Sequence, residues 1–208
     1  MRILLAGVAC VGKSTVGDIL ARRLGYAFFD LDVEVEKQYE TSIERLRHLH
    51  MSTASFRRAC AVVLKRILAA EPVCVIALPP TGLRKPYLGV IHQFPCLKVV
   101  IRDRPENILR RLAFYDIDSK PLKKRLTARE KKLYLTEIKN DIRYFGRSFS
   151  HADMHVDIDG ANAEQAAVLI EKAISGYVNA PPGAHFATPS ETGRASSGED
   201  GFDRIRHR

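Results

Sequence analysis

The most specific chemical pattern in the chain is Gly7-Val8-Ala9-Cys10-Val11-Gly12-Lys13-Ser14-Thr15, which reads G-x-x-x-x-G-K-[ST]. That spacing suits a loop whose successive backbone N–H groups converge on phosphate oxygens. A helix N-terminus behind it adds partial positive charge. Gly7 and Gly12 allow backbone angles and close approaches that a Cβ blocks. Lys13 can reach the β- and γ-phosphates, and Ser14 can ligate Mg²⁺. Cys10, Val11 and Thr15 complete the nucleotide-binding set, so ATP and ADP are the expected ligands. The helix field at Cys10 could lower its thiol pKa and make it redox-sensitive; a small tolerated loop residue is the blander alternative.

Such a loop needs a strand before it and a helix after it. Residues 3–6 are a short apolar run that fits a buried strand, and Val16, Ile19, Leu20 and Leu24 recur at helical spacing. Gly25 closes that helix, and residues 26–29 read as a second strand ending at Asp30-Leu31-Asp32. Two carboxylates at i and i+2 on a strand end point the same way. Facing a phosphate loop, one of the two can hold a Mg²⁺-bound water and the other can hydrogen-bond a substrate hydroxyl or take its proton. A helix cap plus a surface acid is the alternative, since residues 33–39 look helical. The position behind the glycine loop favours the chemical reading.

The composition fits one α/β domain: 208 residues, ordinary hydrophobic content, and no apolar run of membrane-spanning length. The chain starts on its first strand with no signal peptide ahead of it, so a cytoplasmic protein without membrane contact is expected. Cys10, Cys60, Cys74 and Cys96 lack metal-ligand spacing and are expected to be reduced thiols. The net charge of +9 belongs to the folded part, because Arg194, Arg204, Arg206 and Arg208 are balanced by Glu191, Glu199, Asp200 and Asp203. The basic stretch 120–132 lacks interleaved aromatics beyond Tyr134, so a nucleic-acid partner is not expected. From residue 179 onward Pro, Gly, Ser and Thr dominate, and a disordered tail is expected behind a domain of residues 1–178.

The runs Gly12-Lys13-Ser14-Thr15-Val16-Gly17, Ala21-Arg22-Arg23-Leu24-Gly25-Tyr26 and Phe29-Asp30-Leu31-Asp32 resemble the N-terminal third of shikimate kinases. Ser42-Ile43 and Phe56-Arg57-Arg58 continue the resemblance. It implies a nucleoside-monophosphate-kinase-like P-loop fold: a three-layer α/β sandwich around a five-stranded parallel sheet, with a lid. It also implies Mg·ATP-dependent phosphorylation of the 3-hydroxyl of shikimate, or of another small hydroxy acid, by a monomer. Asp30 then matches the Mg²⁺-associated carboxylate, and Asp32 the one at the acceptor hydroxyls. Arg57, or Arg58 one residue on, matches the arginine that grips the substrate carboxylate, a natural use of the guanidinium fork.

Further along, residues 52–70 read as a helix and 73–78 as a central parallel strand. The family's Gly-Gly-Gly turn is replaced there by Leu78-Pro79-Pro80-Thr81-Gly82, and two prolines remove two backbone donors. Cys60 stands where the family has a Glu. Residues 97–101 read as a strand, and Pro105 opens a helix ending near Arg111, the counterpart of an arginine that lies against adenine. Residues 113–125 fall in the place of the lid, where Lys120-Pro121-Leu122 stands for Arg-Pro-Leu. Lys120 can neutralise phosphate charge without the bidentate fork, and a solvated basic loop is the alternative. Residues 127–145 read as one helix in which Arg143 is the second substrate arginine, with Arg147 as the alternative. Residues 152–157 end in a last strand, and Ala166, Leu169, Ile170, Ala173, Ile174 and Tyr177 mark a final amphipathic helix. Two function classes follow: a small-molecule kinase using Lys13, Asp32 and Lys120, or an ATP-binding relative without turnover that acts as a regulatory module.

Overall fold

A computed structural model describes residues 1–179; the expected tail lies, apart from Asn179, outside the described residues. In chain order the elements are β1 Arg2–Ala6, α1 Lys13–Leu24, β2 Ala27–Asp30, α2 Leu31–Tyr39, α3 Ile43–Leu49 and α4 Thr53–Ala70. Then come β3 Cys74–Ala77, α5 Tyr87–Ile91, β4 Cys96–Arg102, α6 Pro105–Arg110, β5 Phe114–Tyr115 and β6 Pro121–Leu122. The last three are α7 Ala128–Phe149, β7 Met154–Asp157 and α8 Ala163–Val178.

Five strands form one parallel sheet in the order β2-β3-β1-β4-β7. Its centre is β1, whose Arg2 sits opposite both Cys74 and Cys96. Ile3, Leu4, Leu5, Val75, Ile76, Val99 and Val100 are all fully buried. Continuous rather than alternating apolarity is what a strand needs when helices cover both faces of its sheet. α1 lies along α8, α6 along α7, and α4 bridges α2 and α5. The parallel order brings every strand's carboxyl end to one edge, where ligands of open α/β sheets bind. Gly7, Asp30, Leu78 and Asp103 all leave strands there. No helix of the described residues is long and apolar enough to cross a membrane.

Three expectations need correction. β2 stops at Asp30, and α2 begins at Leu31, so Asp32 sits in the first turn of a helix rather than on a strand end. The cause is local: Asp30 Oδ1 accepts the N–H groups of Asp32 at 3.0 Å and Val33 at 3.5 Å, capping the helix earlier than hydropathy suggests. α7 runs one turn further, to Phe149, because Phe145 and Phe149 stack at 5.9 Å and extend its buried stripe. In α8 the covered line is Ala166, Ala167, Ile170 and Ile174, while Leu169 and Tyr177 are about two-fifths exposed, at 41% and 39%. The short helices α3 and α5 and the β5–β6 hairpin were not foreseen.

Candidate functional site

The phosphate loop is built by backbone geometry. Gly7 (φ 146°), Cys10 (φ 58°) and Gly12 (φ 108°) all occupy the left-handed half of conformational space. A Cβ on Gly7 would meet the carbonyl oxygen of Ile101 at 2.7 Å and Val11 Cγ1 at 2.9 Å, so only glycine fits between the loop and β4. Cys10 adopts its angle with a side chain attached, a strained choice. α1 starts at Lys13, whose 92%-covered side chain (8% exposed) donates Nζ to the carbonyls of Gly7 at 3.0 Å and Val8 at 2.9 Å. The ammonium is thereby centred in the curl of the loop.

Ser14 Oγ donates to Asp30 Oδ2 at 2.5 Å, joining the start of α1 to the end of β2. Asp30 uses its other oxygen as the cap of α2. The alternatives weighed on the sequence therefore coexist: one carboxylate oxygen caps a helix while the other meets the loop hydroxyl. Burial, and then the neighbouring Asp32 charge, push the Asp30 carboxyl above its ordinary value despite the Ser14 contact. A costly anion beside a serine oxygen, both hard oxygen donors, fits a divalent cation that shares its remaining ligands with phosphates.

Arg111 is tied to the same loop. Its Nη1 donates to the carbonyl of Val11 at 2.9 Å, and its Nη2 pairs with Asp103. Asp103 also accepts from the Arg104 N–H at 2.7 Å, Asn107 Nδ2 at 2.6 Å and the Gly160 N–H at 3.0 Å. Burial opposes its charge, but the Asn107 and Arg111 hydrogen bonds outweigh it and hold its carboxyl below the usual range. Asp103 was not singled out from sequence; nothing in its local pattern marks it as the post that carries Arg111 to the loop.

Across the strand ends from the loop lies a second cluster. Tyr87, 1% exposed, is in hydrogen-bond contact with Cys60 and Thr81, and the Asp32 charge acts on both Cys60 and Tyr87. Burial pushes the Cys60 thiol up to about 12, so a neutral SH stands where a carboxylate was expected from the resemblance. The Pro79–Gly82 turn closes on itself, with the Gly82 N–H donating to the Pro79 carbonyl at 2.8 Å. Thr81 and Tyr87 place hydroxyl groups beside the turn that the prolines deprive of amides. Arg57 is half-buried on α4, one turn before Cys60, whereas Arg58 is exposed. Arg47 lies over the Phe56 ring at 5.2 Å and its charge also reaches Cys60. Arg143 and Arg147 are both exposed on α7. The buried α7 residues of this stretch are Asp141 and Phe145; Tyr144 is half-buried and covered by Arg84 from the loop after β3.

The lid segment forms the β5–β6 hairpin, with Phe114 opposite Leu122 and Tyr115 opposite Pro121. Its base is fixed by Phe114 packing edge-on to Tyr134 at 5.4 Å, with Lys124 above both rings and paired to Glu130 at 3.0 Å. Lys124 is thus held over the rings while still exposed to solvent, as Lys120, Lys123 and Arg125 are. The tip rests on α2 and α3: Arg45 pairs with Asp118 at 2.6 Å, Ser119 Oγ donates to Glu36 Oε1 at 2.5 Å, and Ser42 Oγ donates to the Ile117 carbonyl. Lys120 follows Ser119 and is exposed, its N–H held by Asp116 Oδ1 at 2.9 Å.

A sequence model described as shikimate kinase matches residues 9–175. The shikimate kinase of Nostoc punctiforme is 31% identical over 176 residues, covering 84% of this chain and 91% of that one. The crystal structure of Aquifex aeolicus shikimate kinase superposes with a TM-score of 0.65 at 31% identity, covering 86% of this chain and 99% of that one. The shikimate kinase of Acinetobacter baumannii, solved in complex with shikimate, shares the fold at a TM-score of 0.67 and 23% identity, covering 86% and 95%. With its glycine loop, parallel sheet order and match over most of its length, the chain belongs to the shikimate kinase family.

Proposed function

We propose that this kinase transfers the γ-phosphoryl group of ATP to the 3-hydroxyl of shikimate, with residues 1–178 as the working domain. The observation that carries the reading is the convergence of Lys13, Ser14 and Asp30 at one end of the phosphate loop, in a chain that matches the shikimate kinase family. Gly7, Cys10, Val11, Gly12, Lys13, Ser14 and Thr15 hold the phosphates, and Arg111 stiffens the loop through Val11 while flanking the nucleotide. Ser14 and Asp30 hold Mg²⁺, which neutralises charge on the phosphates when bound.

Asp32 accepts the proton of the attacking hydroxyl; its oxygen forms the new P–O bond as the bond to ADP breaks. Lys13, and Lys120 from the lid, stabilise charge on the transferring group. Catalysis is chiefly placement and electrostatics. Arg57 holds the substrate carboxylate. Arg143 was the expected second arginine; its exposed position on α7 gives it a weaker claim. The four free cysteines, Cys10, Cys60, Cys74 and Cys96, support action in the cytoplasm, and we take the enzyme to be a monomer.

The Pro79-Pro80 turn is the feature behind a second reading, an ATP-binding relative without turnover. The intact Lys13–Ser14–Asp30 set and the kinase relatives weigh against it. Coupled ADP release, measured with shikimate, gluconate and nucleoside monophosphates beside Lys13→Ala, separates the two. Shikimate-dependent turnover that falls by about 10²–10³-fold or more in the variant is the expected result. Tight ATP binding with no acceptor-dependent turnover overturns the proposal.

A further inference from the structure

Arg84 is half-buried, and among the described residues no carboxylate lies against it. Its guanidinium is stacked 4.1 Å from the Tyr144 ring centroid and 5.1 Å from that of Phe145. Nη1 donates to the Tyr144 hydroxyl at 2.8 Å and Nη2 to the Tyr144 carbonyl at 3.2 Å. Tyr144 thus takes only two of the guanidinium's five N–H donors and leaves its charge uncompensated. Aromatic faces orient a cation but do not neutralise it, and a half-buried cation held rigid calls for an anion.

The location says which anion. Arg84 sits in the loop leaving the carboxyl end of β3, and its N–H donates to the Thr81 carbonyl at 3.0 Å. Thr81 contacts Tyr87, and Tyr87 contacts Cys60, where the Asp32 charge is felt. Arg84 therefore belongs to the loop that lines the acceptor side, across the strand ends from the phosphate loop. On α7, Tyr144 is half-buried beneath Arg84 while its neighbour Arg143 is exposed. A guanidinium that α7 does not supply itself is delivered to Tyr144 and Phe145 from 60 residues earlier.

We propose that Arg84, held flat by Tyr144, is a substrate-binding residue that grips the carboxylate of the acceptor acid together with Arg57. The inference rests on the reading of the chain as a kinase for a small hydroxy acid. It adds a residue that sets the preference for an acid over a neutral analogue.

The test is steady-state kinetics of the full chain on shikimate and on its carboxamide, which keeps the ring and hydroxyls but lacks the charge. Arg84→Gln should lower kcat/KM for the acid by about tenfold or more, chiefly through KM, and leave the amide nearly unchanged. Its KM for ATP should not move. Arg84→Lys keeps the charge without the fork and should fall between; Tyr144→Phe keeps the stack, loses one hydrogen bond and should cost less still. Equal losses on acid and amide, as a merely structural role would give, overturn the proposal. So does an effect confined to the KM for ATP. If the unaltered enzyme phosphorylates shikimate but Arg84→Gln keeps its acid-over-amide preference, only the Arg84 assignment fails. No turnover of either compound by the unaltered enzyme refutes the parent reading and this one with it.

Discussion

The two sides of the strand-end cleft are built on different principles. On the side we assign to the nucleotide, nine consecutive residues form the phosphate loop, and backbone angles at Gly7, Cys10 and Gly12 carry most of its shape. On the acceptor side, the polar groups come from α2, α4, the loop after β3, and α7, and side chains carry the shape. A phosphate loop binds a group common to all nucleotides and tolerates little change in its geometry. An acceptor site assembled from separate elements can exchange one donor for another, which is how we read the hydroxyls of Thr81 and Tyr87 beside the Pro79–Gly82 turn. The contrast teaches that recognition by backbone is fixed by local sequence, whereas recognition by side chains is fixed by packing.

The comparison breaks most visibly at Gly7. Gly7→Ala forces a methyl group onto the Ile101 carbonyl and a φ that side chains avoid. It should cost about 2–3 kcal/mol, lower Tm by roughly 5–10 °C, and weaken Mg·ADP binding sharply. Gly146→Ala, in the open on α7, should do the reverse, raising Tm by roughly 1–3 °C with kinetics unchanged. Calorimetric melting of both variants checks the pair; equal responses would erase the distinction between the two sides.

A smaller effect is expected where the lid tip joins them. Arg45→Ala removes the exposed Asp118 pair, which solvent screens and which carries little of the stability. Tm should hardly move, while the KM for ATP rises by about two- to fivefold, with less effect at high salt. Unchanged kinetics at low salt would mean that the tip contacts do not position Lys120.

Asp30 sharpens the nucleotide side by pH. Burial and Asp32 hold its carboxyl above the ordinary 3.8, so the folded chain binds that proton more tightly than the unfolded one. This contribution to stability is fully present below the unfolded value and is lost as pH rises through the raised folded value. Asp30→Asn, which can still cap α2, should therefore melt slightly higher than the unaltered chain at neutral pH. The advantage should shrink toward pH 4 and invert when Mg·ADP is added. A variant less stable at neutral pH without nucleotide would contradict this.

The smallest response is expected at Cys60. A buried thiol pushed up to about 12 stays protonated, so mass spectrometry after alkylation at pH 8 should find Cys60 unmodified in the folded protein and labelled after unfolding.

How much was legible in the sequence follows the same division. The loop, the strand before it and the helix after it depend on neighbours in the chain, and so were readable. Asp32 was placed on the wrong element because Asp30 caps α2 one residue earlier than the apolar pattern implies. α3 and α5, of seven and five residues, are too short to show a helical period. The spacing of the resemblance points to Arg143, but adjacent residues on a helix point about 100° apart, and the buried place on that turn goes to Phe145. The Arg84–Tyr144 contact spans 60 residues and leaves no local mark. The Pro79-Pro80 substitution was visible, but the hydroxyls of Thr81 and Tyr87 beside it became apparent only in the fold.

The most direct test of the account is a calorimetric titration of Mg·ADP into the full chain. A saturable one-to-one heat is predicted, weakened at least about tenfold by Lys13→Ala or by chelating the metal, and unaltered by Arg84→Gln. No heat with the unaltered chain, or an Arg84→Gln effect as large as that of Lys13→Ala, would contradict it.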